Sequence, residues 1–187
     1  MKKNIRWLTR ALLVMAVVVP GSYLSPVLAD GKDDLNRAAD AALKKLYAES
    51  PEALELKEKA KGILVFPKIV KAGFLIGGQY GDGALRKNDK TVAYYNSVAT
   101  SYGLQAGVQW FGYVLFLMTD SAITYLDNSE GLEIGSGPSV VVLNQGAATA
   151  FTTTTLKDDI YAMTFNQKGL MGGLGLQGTK ITKMGKP

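Results

Sequence analysis

The sequence predicts an α+β fold: a curved antiparallel sheet, closed into a barrel-like form or nearly so, with two N-terminal helices packed on it. Helical periodicity is confined to residues 33–61, a run of strand-like character rich in glycine follows at 61–83, and most of the remaining chain reads as short strands and turns. This order, helices first and strands after, is that of an α+β domain.

The first 29 residues read as an address rather than as part of the fold. Lys2, Lys3, Arg6 and Arg10 precede an apolar run at 11–19, Pro20 and Gly21 break it, and Val27-Leu28-Ala29 offers small residues for cleavage before Asp30. Nine apolar residues are too few for a membrane anchor, which needs about 20. The expectation is a cleaved secretory signal at 1–29, a single domain at 30–187, and a periplasmic or secreted location in a bacterial envelope. The whole chain carries a net charge of +5. From Asp30 onward 17 Lys and Arg face 16 Asp and Glu, so the basic balance belongs mostly to the leader and gives no reason to expect nucleic acid as a partner. With no cysteine, the domain is expected to be held by its core alone.

In residues 33–48, Leu35, Ala38, Ala39, Ala42, Leu43, Leu46 and Tyr47 share one face of a helix, with acids near its start and Lys44 and Lys45 near its end, as the helix dipole favours. Ser50 is placed to cap a second helix, with Pro51 at its first position and Gly62 beyond its end. Next comes K-G-I-L-V-F-P-K-I-V-K-A-G-F-L-I-G-G-Q-Y-G-D-G at 61–83. Six glycines inside strand-like sequence imply bends, bulges or close approach of another backbone. Strands are expected at 63–66 and 72–80, with Pro67 at an edge or turn between them.

After a lysine-bearing turn at 86–90, strands are expected from Thr91 to Trp110 and over 114–118, the second buried on both faces. Trp110-Phe111-Gly112-Tyr113 lies between them. Two readings stand open here: a hairpin tip with Gly112 at its turn, its rings free to meet a membrane, or rings folded into the core. Thr119 or Asp120 caps a short helix at 121–126. One or two strands surround Gly135-Ser136-Gly137-Pro138, a turn falls at 157–159, and strands are expected at 160–165 and 170–178. A basic tail with Lys180, Lys183 and Lys186 ends the chain.

The string F-P-K-I-V-K-A-G-F-L-I-G-G-Q-Y-G-D-G, followed in order by Tyr102-Gly103-Leu104-Gln105-Ala106-Gly107, Val114-Leu115-Phe116-Leu117-Met118-Thr119 and Gly169-Leu170-Met171-Gly172-Gly173, resembles the SYLF family of Ysc84-type lipid-binding domains over roughly residues 35–180. The chain departs from the family pattern at 86–90, where relatives carry a Trp-containing segment. The resemblance implies lipid binding, with phosphoinositide recognition in eukaryotic members and actin binding in the yeast branch. For an exported chain it implies contact with anionic phospholipid head groups or acyl chains instead.

Catalysis is not expected. The chain has no histidine and no cysteine, which removes the usual bases, thiol nucleophiles and metal ligands, and no cofactor or metal is expected. The glycines at 77–83 lack the spacing and the following helix of a nucleotide loop. A small outer-membrane barrel is the competing architecture, but two charged helices and a Lys-Pro end speak against it. The expected function is therefore a non-enzymatic module that associates peripherally with anionic membrane through Lys68, Lys71, Trp110, Phe111, Tyr113, Lys180, Lys183 and Lys186. The alternative is an envelope protein-interaction domain using the same surfaces.

Overall fold

The computed structural model describes residues 27–128, 131–143, 156–169, 176 and 178–185. The leader up to residue 26, the expected strand at 170–175, residue 177 and Lys186 lie outside the described residues.

Two helices open the fold: α1 (Val27–Glu49) and α2 (Pro51–Lys59). The junction forms as the residue types require. The Ser50 hydroxyl accepts from the Ala53 amide at 3.2 Å, Pro51 stands in the first turn where its missing N–H costs nothing, and Ala60 ends the helix in extended backbone.

The sheet is dominated by one hairpin, β1 (Gly62–Lys87) and β2 (Lys90–Leu117), paired from Gly62↔Leu117 to Lys87↔Lys90. The two strands expected at 63–66 and 72–80 are thus one strand. Pro67 does not end it, because Pro67 falls in a register shift between Phe66 and Ile69 on a strand whose sole partner among the described residues is β2, where a missing N–H is tolerated. The turn is Asn88-Asp89, both residues left-handed at φ 50° and 60°, a conformation these two side chains tolerate and one that matches the twist of a hairpin.

Twenty-six residues of strand are too long for a straight sheet in a chain of this size, and the glycines show how they fit. A Cβ at Gly81 would stand 2.5 Å from the Lys68 carbonyl oxygen, and one at Gly83 would stand 2.8 Å from that of Val65 and against the Phe66 ring. A Cβ at Gly73 would strike the backbone of Gly77. The second half of β1 is therefore folded back over the first, about a bend at 73–77, and the glycines stand where backbone meets backbone. β2 follows, with its register shift opposite the bend, between Gly103 and Gly107.

The free edge of β2 is shared. Its C-terminal half pairs with β5 (Ile160–Gly169), and residues 94–98 pair with β6 (Lys180–Gly185). β6 carries the two-residue β3 (Leu132–Glu133), and β4 (Val140–Leu143) lies beside β5. The result is a mixed sheet curled as a half-barrel. It is antiparallel as expected except for β4 and β5, which run parallel. The basic tail is in part a strand: Lys180 and Lys183 belong to β6.

The sheet is buried on both faces at one end. Leu64, Phe66, Ile69, Tyr95, Phe111, Tyr113, Leu115 and Leu117 fill the inside of the curl with α3 (Asp120–Asn128), while Val65, Tyr94, Val114, Phe116, Met163 and Phe165 meet Ala39, Leu43 and Leu46 of α1. The apolar run at 114–117 faces both cores in alternation, as its composition demands. Polar bonds fix α1 in place: Asn36 donates to the Tyr94 hydroxyl and accepts from Thr91, and Asp40 pairs with Arg86.

Two polar clusters pin the loops. Thr119, whose hydroxyl caps α3 by accepting from the Ala122 amide, also donates to Asp159, and the Ser139 amide and hydroxyl reach the other carboxylate oxygen. These bonds, Thr119 first, hold the Asp159 carboxyl below its ordinary pKa. In the second cluster Asp127 of α3 accepts from Tyr95 of β2 at 2.7 Å and from Lys183 of β6 at 2.6 Å. Partial burial works to raise the Asp127 pKa, but bonds from Lys183 and Tyr95 outweigh it and the net shift is downward. A carboxyl so lowered stabilises the fold above its ordinary pKa of 3.8, and that contribution is lost as pH falls through the lower folded value. Asp127→Asn is accordingly expected to cost about 1 kcal/mol near pH 7, discounted for the exposure of the pair. Urea melts of wild type and variant should converge as pH drops below about 3.8.

Candidate functional site

Away from α1 and α2 the outer face of the hairpin is bare. After the shift at Pro67, even-numbered residues of β1 point outward, and Val70, Phe74, Ile76 and Tyr80 are all exposed. On β2 the outward residues are Val98, Val108 and Trp110. Register joins these into one surface: Val70 stands opposite Trp110, Ala72 opposite Val108, and Tyr80 opposite Val98. At the outer vertex of the bend Phe74 is 73% and Ile76 65% exposed, against 42% for Trp110. An exposed Leu or Val alone means little, but a continuous ladder of seven large apolar residues is the kind of patch that marks a binding surface.

Charge is absent from the ladder and present around it. No charged residue occurs at 72–81 or at 91–119. The cations that border it arrive by pairing. Lys168 of β5 stands directly opposite Trp110, a position it reaches because Asn166, left-handed at φ 52°, is the extra residue of a bulge between the Gly112–Phe165 and Trp110–Lys168 pairs. Lys180 of β6 stands opposite Val98, with Glu133 on its other side. Lys68 is exposed at the Pro67 bulge.

The expected site residues divide accordingly. Trp110, Lys68 and Lys180 lie on or beside this surface. Phe111 and Tyr113 do not: both point into the curl, where Tyr113 stacks on Phe66 at 4.6 Å between centroids and donates to Ser97 at 2.7 Å. The hairpin turn expected at Gly112 is overturned, since Gly112 sits mid-strand beneath the Phe165 ring, where any side chain would collide with that ring. Lys71 is buried inside the curl, and Lys183 is committed to Asp127 and lies 5.9 Å from the Tyr95 ring centroid. Lys186 lies outside the described residues. Val70, Phe74, Ile76, Tyr80, Val98, Val108 and Lys168 were missed, although 29 consecutive uncharged residues at 91–119 marked half of the surface.

A cleft of about 580 Å³ opens at the other end, between α1, α2 and the Asn88-Asp89 turn. Two ion pairs lie within it: Arg86 pairs with Asp40, and Lys57 lies 3.9 Å from Asp89 and 5.3 Å from the Tyr47 ring centroid, while Lys44, Lys61 and Lys87 also line it. Burial, with Asp89 nearby, raises the pKa of the Tyr47 hydroxyl, which keeps it protonated. Among the described residues no group of acids could hold a metal ion, and no helix is long and apolar enough to cross a membrane.

Residues 98–186 match the family model Ysc84, described as Las17-binding protein actin regulator. The match takes in the three later motifs and begins after the glycine-rich string at 66–83. No curated protein matches the chain.

Proposed function

We propose that this chain, which carries a Ysc84 (SYLF) domain over residues 98–186, is an exported, non-enzymatic lipid-binding module that docks on anionic phospholipid through the bend of its long hairpin. The match fits a lipid-binding or an actin-regulatory domain, and the leader-like residues 1–29 favour lipid in an envelope. The observation that carries the reading is the ladder: its most exposed apolar side chains, Phe74 and Ile76, stand at the vertex, with Trp110 and Tyr80 set back from it and lysines beyond. That order suits a membrane, because apolar tips enter the acyl region, amphipathic rings prefer the interface, and ammonium groups meet the phosphates.

Co-sedimentation with phosphatidylglycerol and with phosphatidylcholine vesicles tests it. Binding is expected on the anionic vesicles and is expected to weaken with salt. Each Lys near an anionic surface contributes on the order of 1 kcal/mol, and each 1.4 kcal/mol is tenfold, so Lys168→Gln with Lys180→Gln should lower that affinity roughly 30-fold. Equal affinity for both vesicle types, unchanged in the double variant, would reject an electrostatic contribution. No attachment to either would leave the ladder to a protein partner.

A further inference from the structure

The inner face of the curl holds two polar side chains that the fold itself does not use. After the Pro67 bulge the odd-numbered residues of β1 point inward, and Lys71 follows Ile69 there, only 7% exposed. Its cross-strand partner is Gln109, fully buried, with neither amide atom hydrogen-bonded. Lys71 has no carboxylate within ion-pair distance among the described residues. Register partners on one face have Cβ atoms about 5 Å apart, so the Lys71 side chain and the unsatisfied Gln109 amide start from adjacent positions on one face.

The other buried polar groups of this face are satisfied. Gln79 donates to Thr179 at 3.1 Å, and Ser97 accepts from Tyr113 at 2.7 Å. Native interiors rarely leave a buried amide unpaired, and the Gln109 amide stands across the strand pair from a largely buried lysine. The pair lies above Ile69 and Phe111 of the inner core, toward the bend.

We infer that Lys71 and Gln109 form a binding site for the phosphate of a glycerophosphate headgroup. Lys71 supplies one positive charge and three donors, the Gln109 amide N–H₂ supplies donors to a second phosphate oxygen, and the amide oxygen accepts from a hydroxyl of the same ligand. A lone phosphate would leave that oxygen unmatched. The inference rests on the lipid-binding reading but concerns a different surface, the inside of the curl rather than the outer ladder.

The test uses soluble probes on the whole protein: inorganic phosphate, sn-glycerol 3-phosphate, and dihexanoyl phosphatidylglycerol below its micelle concentration, with dihexanoyl phosphatidylcholine beside it. The side-chain amide resonances of Gln109 are followed by NMR. Saturable shifts are expected with glycerol 3-phosphate and phosphatidylglycerol, more tightly than with inorganic phosphate. Lys71→Met and Gln109→Leu should each weaken binding at least tenfold. Gln109→Leu, free of ligand, should melt no lower than wild type, since it removes an unpaired buried amide. Unmoved Gln109 resonances, or binding unchanged in both variants, would overturn the site, and equal affinity for inorganic phosphate would overturn the headgroup assignment. Phe74→Ser with Ile76→Ser separates the two readings: it should lower vesicle affinity about 100-fold and leave glycerol 3-phosphate binding intact. Vesicle affinity unchanged in this double variant rejects docking at the bend and leaves the interior site standing.

Discussion

Phe74→Ser combined with Ile76→Ser is expected to lower affinity for phosphatidylglycerol vesicles about 100-fold while leaving the urea midpoint nearly unchanged. Both side chains are mostly in water in the free protein, so neither contributes much to folding. Fully burying a Phe or Ile side chain is worth about 1.5–3 kcal/mol. Removing most of that from two residues amounts to roughly 3 kcal/mol, and each 1.4 kcal/mol is tenfold in affinity. The loss should appear in the salt-independent part of the binding, because the lysines are untouched. Co-sedimentation at low and high salt measures it. An unaltered affinity would show that the vertex of the hairpin stays out of the bilayer, whatever Lys168 and Lys180 contribute.

How much of this was legible in the residues depends on the range of the interactions involved. Local rules located both N-terminal helices, the Ser50 cap, Thr119 ahead of α3 and the turn at 86–90, because capping and turn geometry are decided within a few residues. The glycines at 73, 81 and 83 announced close backbone approach, yet not what approached. The answer, the first half of the same strand, is a long-range contact that no local pattern encodes. Pro67 misled for the same reason, since a proline in strand-like sequence ends a central strand but not an edge strand with a bulge. Lys71 and Lys183 read as surface charges on composition alone. Parity turned Lys71 into the curl and brought the exposed Lys183 against Asp127 and the Tyr95 ring, and parity across a bulge is set by how many residues the bulge holds. Trp110 and Phe111 show the limit most plainly: adjacent in sequence, one faces outward and the other inward, so a cluster of aromatics in a strand must be divided between two faces rather than assigned as a unit.

That division gives the prediction with the largest effect on stability. Phe111→Ala is expected to destabilise the domain by about 3–5 kcal/mol, the usual cost of truncating a buried Phe, because the ring is 2% exposed and packs against Tyr113, with centroids 6.4 Å apart, in the core that includes Ile69. In a domain whose total stability is about 5–15 kcal/mol, such a loss brings the variant near the threshold of folding. Tyr113→Phe should cost less, about 1–2 kcal/mol, by leaving the Ser97 hydroxyl buried without its donor. Trp110→Ala, one residue from Phe111, is expected to change stability by about 1 kcal/mol, since nearly half of the ring is already in water. The three variants measured side by side, by urea denaturation and by vesicle co-sedimentation, should therefore split. Phe111→Ala and Tyr113→Phe should lose stability and, where still folded, bind vesicles as wild type does, whereas Trp110→Ala should keep its stability and bind less. If Phe111→Ala left the urea midpoint in place and removed vesicle binding, the ring would have to lie on the outer surface, and the parity assigned to the whole C-terminal half of β2 would be wrong.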